Sequence, residues 1–135
     1  MLIRPRRNRR TDSIRKLSQE NKVTADDFIM PLFIVEGSSI KEPIESLPIA
    51  YRRSLDEVLT EIESCLDYGL HSFILFPKIP KQHKDKTGTY SYDKNNFYLK
   101  AATEIKRKFP HITLISDVAL DPYSIEGHDL SLIHI

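Results

Sequence analysis

The chain has 135 residues, 40% of them hydrophobic and 29% charged, with a formal net charge of +1. That composition suits one modest soluble domain with a real core. It excludes a helical membrane protein, because no apolar run nears the roughly 18 residues of a span, and its lone cysteine, Cys65, excludes an intrachain disulfide or a cysteine-based zinc site.

The near-zero net charge hides an asymmetry. Arg4, Arg6, Arg7, Arg9, Arg10, Arg15, Lys16 and Lys22 face only Asp12 and Glu20 in the first 22 residues. Residues 1–11 lack apolar periodicity and read as an extended arm. Three roles compete for it: a contact to nucleic-acid phosphates, a solvated tail, or an arm that docks on a neighbouring subunit. Without interleaved aromatics or a nucleic-acid-binding fold, the docking arm is preferred. The N-terminus lacks the apolar segment of a secretory signal, and Pro5 interrupts any amphipathic transit helix. The expectation is a cytoplasmic protein, or a plastid one if the native N-terminus is longer.

A short helix is expected from Asp12 to about Asn21, closing an arm region of residues 1–23. Phe28 to Val35 is a near-continuous apolar run ending at Glu36-Gly37. Such a run suits a strand buried on both faces, as in a parallel sheet. Pro31 lacks one ladder donor and points to a strand edge or start.

Ser54 and Glu57 have the spacing of a capping box. Leu55, Val58, Leu59, Ile62, Cys65 and Leu66 then recur at helical spacing, and Gly69 supplies the stop. His71 to Phe76 follows as a second strand. The lysine-rich loop from Pro77 to Asp93 is long enough to suggest a function. Its lysines are solvated, so none is nominated to form an imine, which requires a lysine that loses its proton. Asp93 is expected to cap a third helix burying Tyr98, Ala101, Ala102, Ile105 and Phe109, with Pro110 ending it. Ile112 to Ile115 is the third strand. Strand, helix, strand, helix, strand implies an α/β fold with parallel pairing and right-handed crossovers. The outer edge of the last strand is left uncovered, which invites association and suggests part of a longer protein.

The chemistry concentrates after that strand, in Asp117, Asp121, Glu126, His128 and Asp129. At the C-terminal end of a barrel strand, Asp117 faces the mouth where substrates bind. The bland alternative is an Asp that merely opens a turn. Asp121, Glu126, His128 and Asp129 are candidates to converge on a hard cation such as Mg²⁺, against the alternative of four solvated polar groups in a surface loop.

Several segments together resemble the porphobilinogen synthase (5-aminolevulinate dehydratase) family. They are Arg6-Arg7-Asn8-Arg9-Arg10, Asp27 through Gly37, Ser46-Leu47-Pro48 with Arg53-Ser54, Asp117 through Tyr123, and Gly127-His128-Asp129. The resemblance implies a (β/α)₈ TIM barrel. Residues 24–135 would supply its first three strands and two crossover helices, and residues 1–23 an arm embracing a neighbour in a homo-octamer. It implies a lyase that joins two 5-aminolevulinate molecules into porphobilinogen, with no nucleic acid or membrane as partner. Asp117 resembles the aspartate that positions substrate. The zinc-using branch has cysteines where this chain has Ala119, Asp121 and Asp129. Zn²⁺ is therefore not expected; Mg²⁺ or a monovalent cation is, with Asp121 and Asp129 as metal ligands. The family's two imine-forming lysines lie beyond Ile135, so the chain is expected to be an inactive N-terminal fragment. Leu130 to Ile135 departs from the family and reads as a truncated or mis-joined frame. The competing class is a non-catalytic α/β assembly or binding module.

Overall fold

A computed structural model of the chain describes residues 6–127. It contains helices α1 (Asp12–Leu17), α2 (Leu55–Asp67) and α3 (Phe97–Lys108), and strands β1 (Met30–Val35), β2 (Lys41–Ile44), β3 (Leu47–Arg53), β4 (Ser72–Lys78) and β5 (Thr113–Ser116). The strands form one sheet in the order β2-β3-β1-β4-β5. β1 pairs in parallel with β4 over six residues, from Met30↔Phe73 to Val35↔Lys78. β4 pairs in parallel with β5, from Ser72↔Thr113 to Leu75↔Ser116. The three expected strands therefore lie side by side in one direction, joined by the two expected helices.

The alternation of each strand divides its side chains between two faces. Leu32 and Ile34 of β1 and Phe73 and Leu75 of β4 point toward the helices. There they meet Val58 and Ile62 of α2 and Tyr98, Ala101 and Ile105 of α3, all buried in one cluster. Burying each large apolar side chain contributes roughly 1.5–3 kcal/mol, which is why the helical stripes at i, i+3 and i+4 set the fold. Cys65 packs on the edge of this cluster, half-buried, and burial pushes its thiol pKa up, with Glu61 adding to the shift. It is a structural thiol.

Four expectations need correction. Two strands were missed: β2 and β3 form an antiparallel hairpin inserted between β1 and α2. β3 also pairs in parallel with β1 at Phe33↔Arg52 and Ile34↔Arg53. Pro43, Pro48 and the exposed Leu47 and Ile49 conceal the hairpin, because it carries no alternating apolar pattern. Pro31 precedes the β3 pairing, so at its position β1 has a neighbour on one side only.

The capping box at Ser54 does not form. Its hydroxyl instead accepts from the Ile40 backbone N–H at 2.9 Å and donates to Asp56 Oδ1 at 2.5 Å, because the hairpin brings Ile40 against the helix start. Asp93 does not cap α3 either. Asn96 does, its Oδ1 accepting from the Tyr98 N–H at 2.9 Å, while Asp93 accepts from Asn95 N–H at 2.7 Å within the preceding turn. The helix near the N-terminus is also shorter than expected; Thr11 caps it through the Ile14 N–H at 3.2 Å.

Candidate active-site rim

The sheet face turned away from the helices carries the candidate site. Phe33 on β1 stands level with Arg52 on β3 and with Phe76 on β4. The Phe33 and Phe76 rings stack with centroids 5.6 Å apart. Beyond them, at the C-terminal ends of the strands, lies a cavity of about 390 Å³. Its walls include Arg52, Lys78, Lys84, Asp121 and Gly127 above the phenylalanine pair. Ligands of parallel α/β sheets bind at this end of the strands.

Asp117 directly follows Ser116, whose partner Leu75 precedes Phe76. The alternation thus carries Asp117 toward the Phe33–Phe76 face. It is exposed. Beneath it the buried Tyr98 reaches through from α3: its hydroxyl lies 2.7 Å from Oγ of the exposed Ser116 and donates to Leu75 O at 3.2 Å. Burial pushes the Tyr98 phenol up, the Ser116 hydrogen bond opposes this, and the Asp117 charge adds to the rise.

Asp121 opens a single 3-10 turn, Asp121–Tyr123, with Pro122 at its start. Tyr123 anchors that turn in a small second core with Ile79 and Tyr90. The buried Asn96 amide donates to the Tyr123 hydroxyl at 3.1 Å and to Tyr90 O at 2.9 Å. Asp85 N–H donates to Tyr123 O, and Ile125 N–H to Asp85 O, each at 3.2 Å, so the lysine-rich loop and the acidic loop are stitched together. Sequence reasoning missed Asn96, Tyr90 and Asp85 in this role. Only the length of the loop hinted that it was built.

The loop is folded rather than simply solvated. The Asp85 carboxylate accepts from Thr87 N–H at 2.9 Å and Thr89 N–H at 3.1 Å, and from both threonine hydroxyls. The Thr89 hydroxyl bond foremost, followed by the backbone bonds, lowers its pKa to about 2. His83 stacks on Tyr90 at 4.2 Å and faces Glu36 at 3.7 Å, tying the loop to the end of β1.

Asp121 thus reaches the cavity and Asp117 the adjoining rim, while His128 and Asp129 lie outside the described residues. Among the described residues no three His, Cys, Asp or Glu side chains converge as a metal site. Among the described residues Asp121 is the one carboxylate on the cavity wall, and three cations share it. By themselves these residues do not fit a metal ion.

The family model for delta-aminolevulinic acid dehydratase matches residues 2–134. The chain belongs to the delta-aminolevulinic acid dehydratase family. A relative from Chlamydia pneumoniae is 50% identical over 126 residues, covering 93% of this chain and 38% of that protein. A chloroplastic relative from Hordeum vulgare is 41% identical, covering 96% of this chain and 30% of its own. Among solved structures, the Toxoplasma gondii enzyme in complex with its product porphobilinogen superposes with a TM-score of 0.84 at 39% identity. That match covers 96% of this chain and 36% of the other. The chain spans about a third of the length of these relatives, and its sheet is the corresponding part of a TIM barrel.

Proposed function

We propose that residues 6–127 form part of the catalytic mouth of a porphobilinogen synthase, the lyase that condenses two 5-aminolevulinate molecules with loss of water. The observation that carries this reading is the rim itself. A parallel sheet directs Asp117 and Asp121 to the C-terminal ends of its strands, in a chain whose family is established. Asp117 is assigned to positioning substrate. Its fixed base at Ser116 supports that role, since a substrate-orienting group works only if its own geometry is held.

The imine-forming lysines of the family belong to the part of the barrel that these residues do not span. Alone, the 135-residue chain is therefore assigned no activity. Oxygen ligation of Mg²⁺, or of a monovalent cation, is proposed only for Asp121 and Asp129 acting as a pair; Asp121 alone, beside Arg52, Lys78 and Lys84, does not fit a cation, and no step of the reaction is assigned to one. Thiolate ligation of zinc has no support, because Cys65 sits on the helix side of the sheet. The basic arm is assigned to contact between subunits of a homo-oligomer, an octamer by family resemblance, and the protein to the cytoplasm or a plastid.

The test is a chimera in which residues 1–127 replace the matching segment of the Chlamydia pneumoniae relative. Colorimetric detection of porphobilinogen is the expected result. A folded chimera that forms none, when the intact relative does, would refute the reading. The competing assembly-module reading predicts that the free chain co-elutes with the full-length enzyme as a defined complex.

A further inference from the structure

The end of β5 is held by a side chain from behind the sheet. Leu75↔Ser116 is the last pair of the β4–β5 ladder, and Asp117 stands one residue beyond it. A carboxylate placed there inherits whatever play the strand end has. The Tyr98 hydroxyl restricts that play by bonding both members of the last pair. It donates to Leu75 O at 3.2 Å and lies 2.7 Å from Ser116 Oγ. A phenol has one proton, so with that proton on Leu75 O the Ser116 hydroxyl is the donor of the shorter bond. The other end of the residue is fixed as well. Tyr98 is buried in the core cluster with Leu75 and Ile105, and its N–H donates to the Asn96 cap at 2.9 Å. The tie therefore runs from the start of α3, through a rigid ring, to the residue before Asp117. One partner already satisfies a buried phenol; the second bond, to an exposed serine, is the one that bears on the rim.

We infer that Tyr98 is a positioning residue for the condensation, setting the direction of Asp117 through Ser116. Its ring lies on the helix side of the sheet, so it reaches the reaction only through Asp117, which stands on the side of Phe33 and Phe76. This deepens the proposed role of Asp117 and rests on it. Rotation about the backbone at Ser116 swings the Asp117 carboxylate, and a misplacement of about 1 Å costs up to about 100-fold in rate. A hydroxyl clamp on the preceding residue limits the swing without adding charge to the mouth. Burial raises the phenol above its ordinary pKa of 10.0, so the clamp is in place throughout the neutral range.

The test is made in the Chlamydia pneumoniae chimera, with porphobilinogen formation and melting temperature measured for each variant. Tyr98→Phe keeps the buried ring and removes the clamp, and kcat is expected to fall about tenfold. Ser116→Ala removes the same bond from the exposed side; it should give the same loss, and it serves if Tyr98→Phe does not fold. Ser116→Thr keeps the hydroxyl and should keep the parent's kcat. The double variant separates positioning from packing. In the Asp117→Asn background, where no carboxylate is left to direct, Tyr98→Phe should cost less than about twofold. A second loss of about tenfold in that background would make Tyr98 a packing residue only and overturn the inference. Full kcat in both Tyr98→Phe and Ser116→Ala would overturn it too. Backbone ¹⁵N order parameters of the 135-residue chain give a readout free of turnover. Asp117 should lose order in Tyr98→Phe while α3 does not; unchanged order at Asp117 would refute the clamp. An inactive chimera, or one indifferent to Asp117→Asn, sinks the catalytic reading, and the order parameters then judge the clamp by themselves.

Discussion

Asn96 ties the loops of the rim to the start of α3. Its side chain caps α3, satisfies Tyr90 O and fixes the Tyr123 hydroxyl below the Asp121 turn. Asn96→Ala removes the cap and strands buried polar partners, so it is expected to cost about 2 to 4 kcal/mol in urea unfolding. An equal cost from Asp93→Ala, the residue that the sequence nominated as cap, would contradict this assignment. Asp85 makes a sharper, pH-based prediction. Its carboxyl is held at about 2, below the ordinary 3.8, so its contribution to the loop is full above the unfolded value. The contribution declines as pH falls through the folded value. Thr87 and Thr89 amides should therefore keep their carboxylate-bonded shifts near pH 3, and an Asp85 titration midpoint near 4 would rule the network out. Neither residue was legible beforehand. An Asn three positions after an Asp looks like part of the turn until the core fixes where the helix must begin.

At the scale of elements, apolar spacing located most of what matters. The stripes of α2 and α3 foretold Val58, Ile62, Tyr98, Ala101 and Ile105 as core, and all five are buried. Ile62→Ala and Ile105→Ala are each expected to lose about 2–5 kcal/mol by chemical denaturation. Leu99→Ala, on the 44%-exposed side of α3, should stay within about 0.5 kcal/mol; similar losses at all three sites would mean that the helices do not pack as described. The hairpin escaped for a physical reason. Its strands cover little apolar surface and are held by backbone pairing, which leaves no periodic trace in side-chain type. Its consequence reaches the site, since it sets Arg52 beside Phe33 and takes the Ser54 hydroxyl away from helix capping. A position such as Arg52 becomes visible only once the register of β3 is known.

For the molecule as a whole, the sheet has direction but not closure. β5 ends the strand order among the described residues, and the face bearing Phe33 and Phe76 has no opposing layer there. In the Toxoplasma gondii enzyme this region corresponds to 36% of the chain. The family, the parallel direction and the crossover helices were all readable from motifs and periodicity. The stitched loops were not, because they depend on contacts between residues far apart in sequence, such as Asn96 with Tyr123. The most direct measurement is kcat for the Chlamydia pneumoniae chimera carrying Asp117→Asn, with melting temperature recorded alongside. If this rim forms the catalytic mouth, kcat falls about 100-fold or more while the melting temperature holds, since the side chain is exposed and only its charge is lost. A folded variant that turns over as fast as its parent would contradict the placement of Asp117 at the reacting end of the barrel.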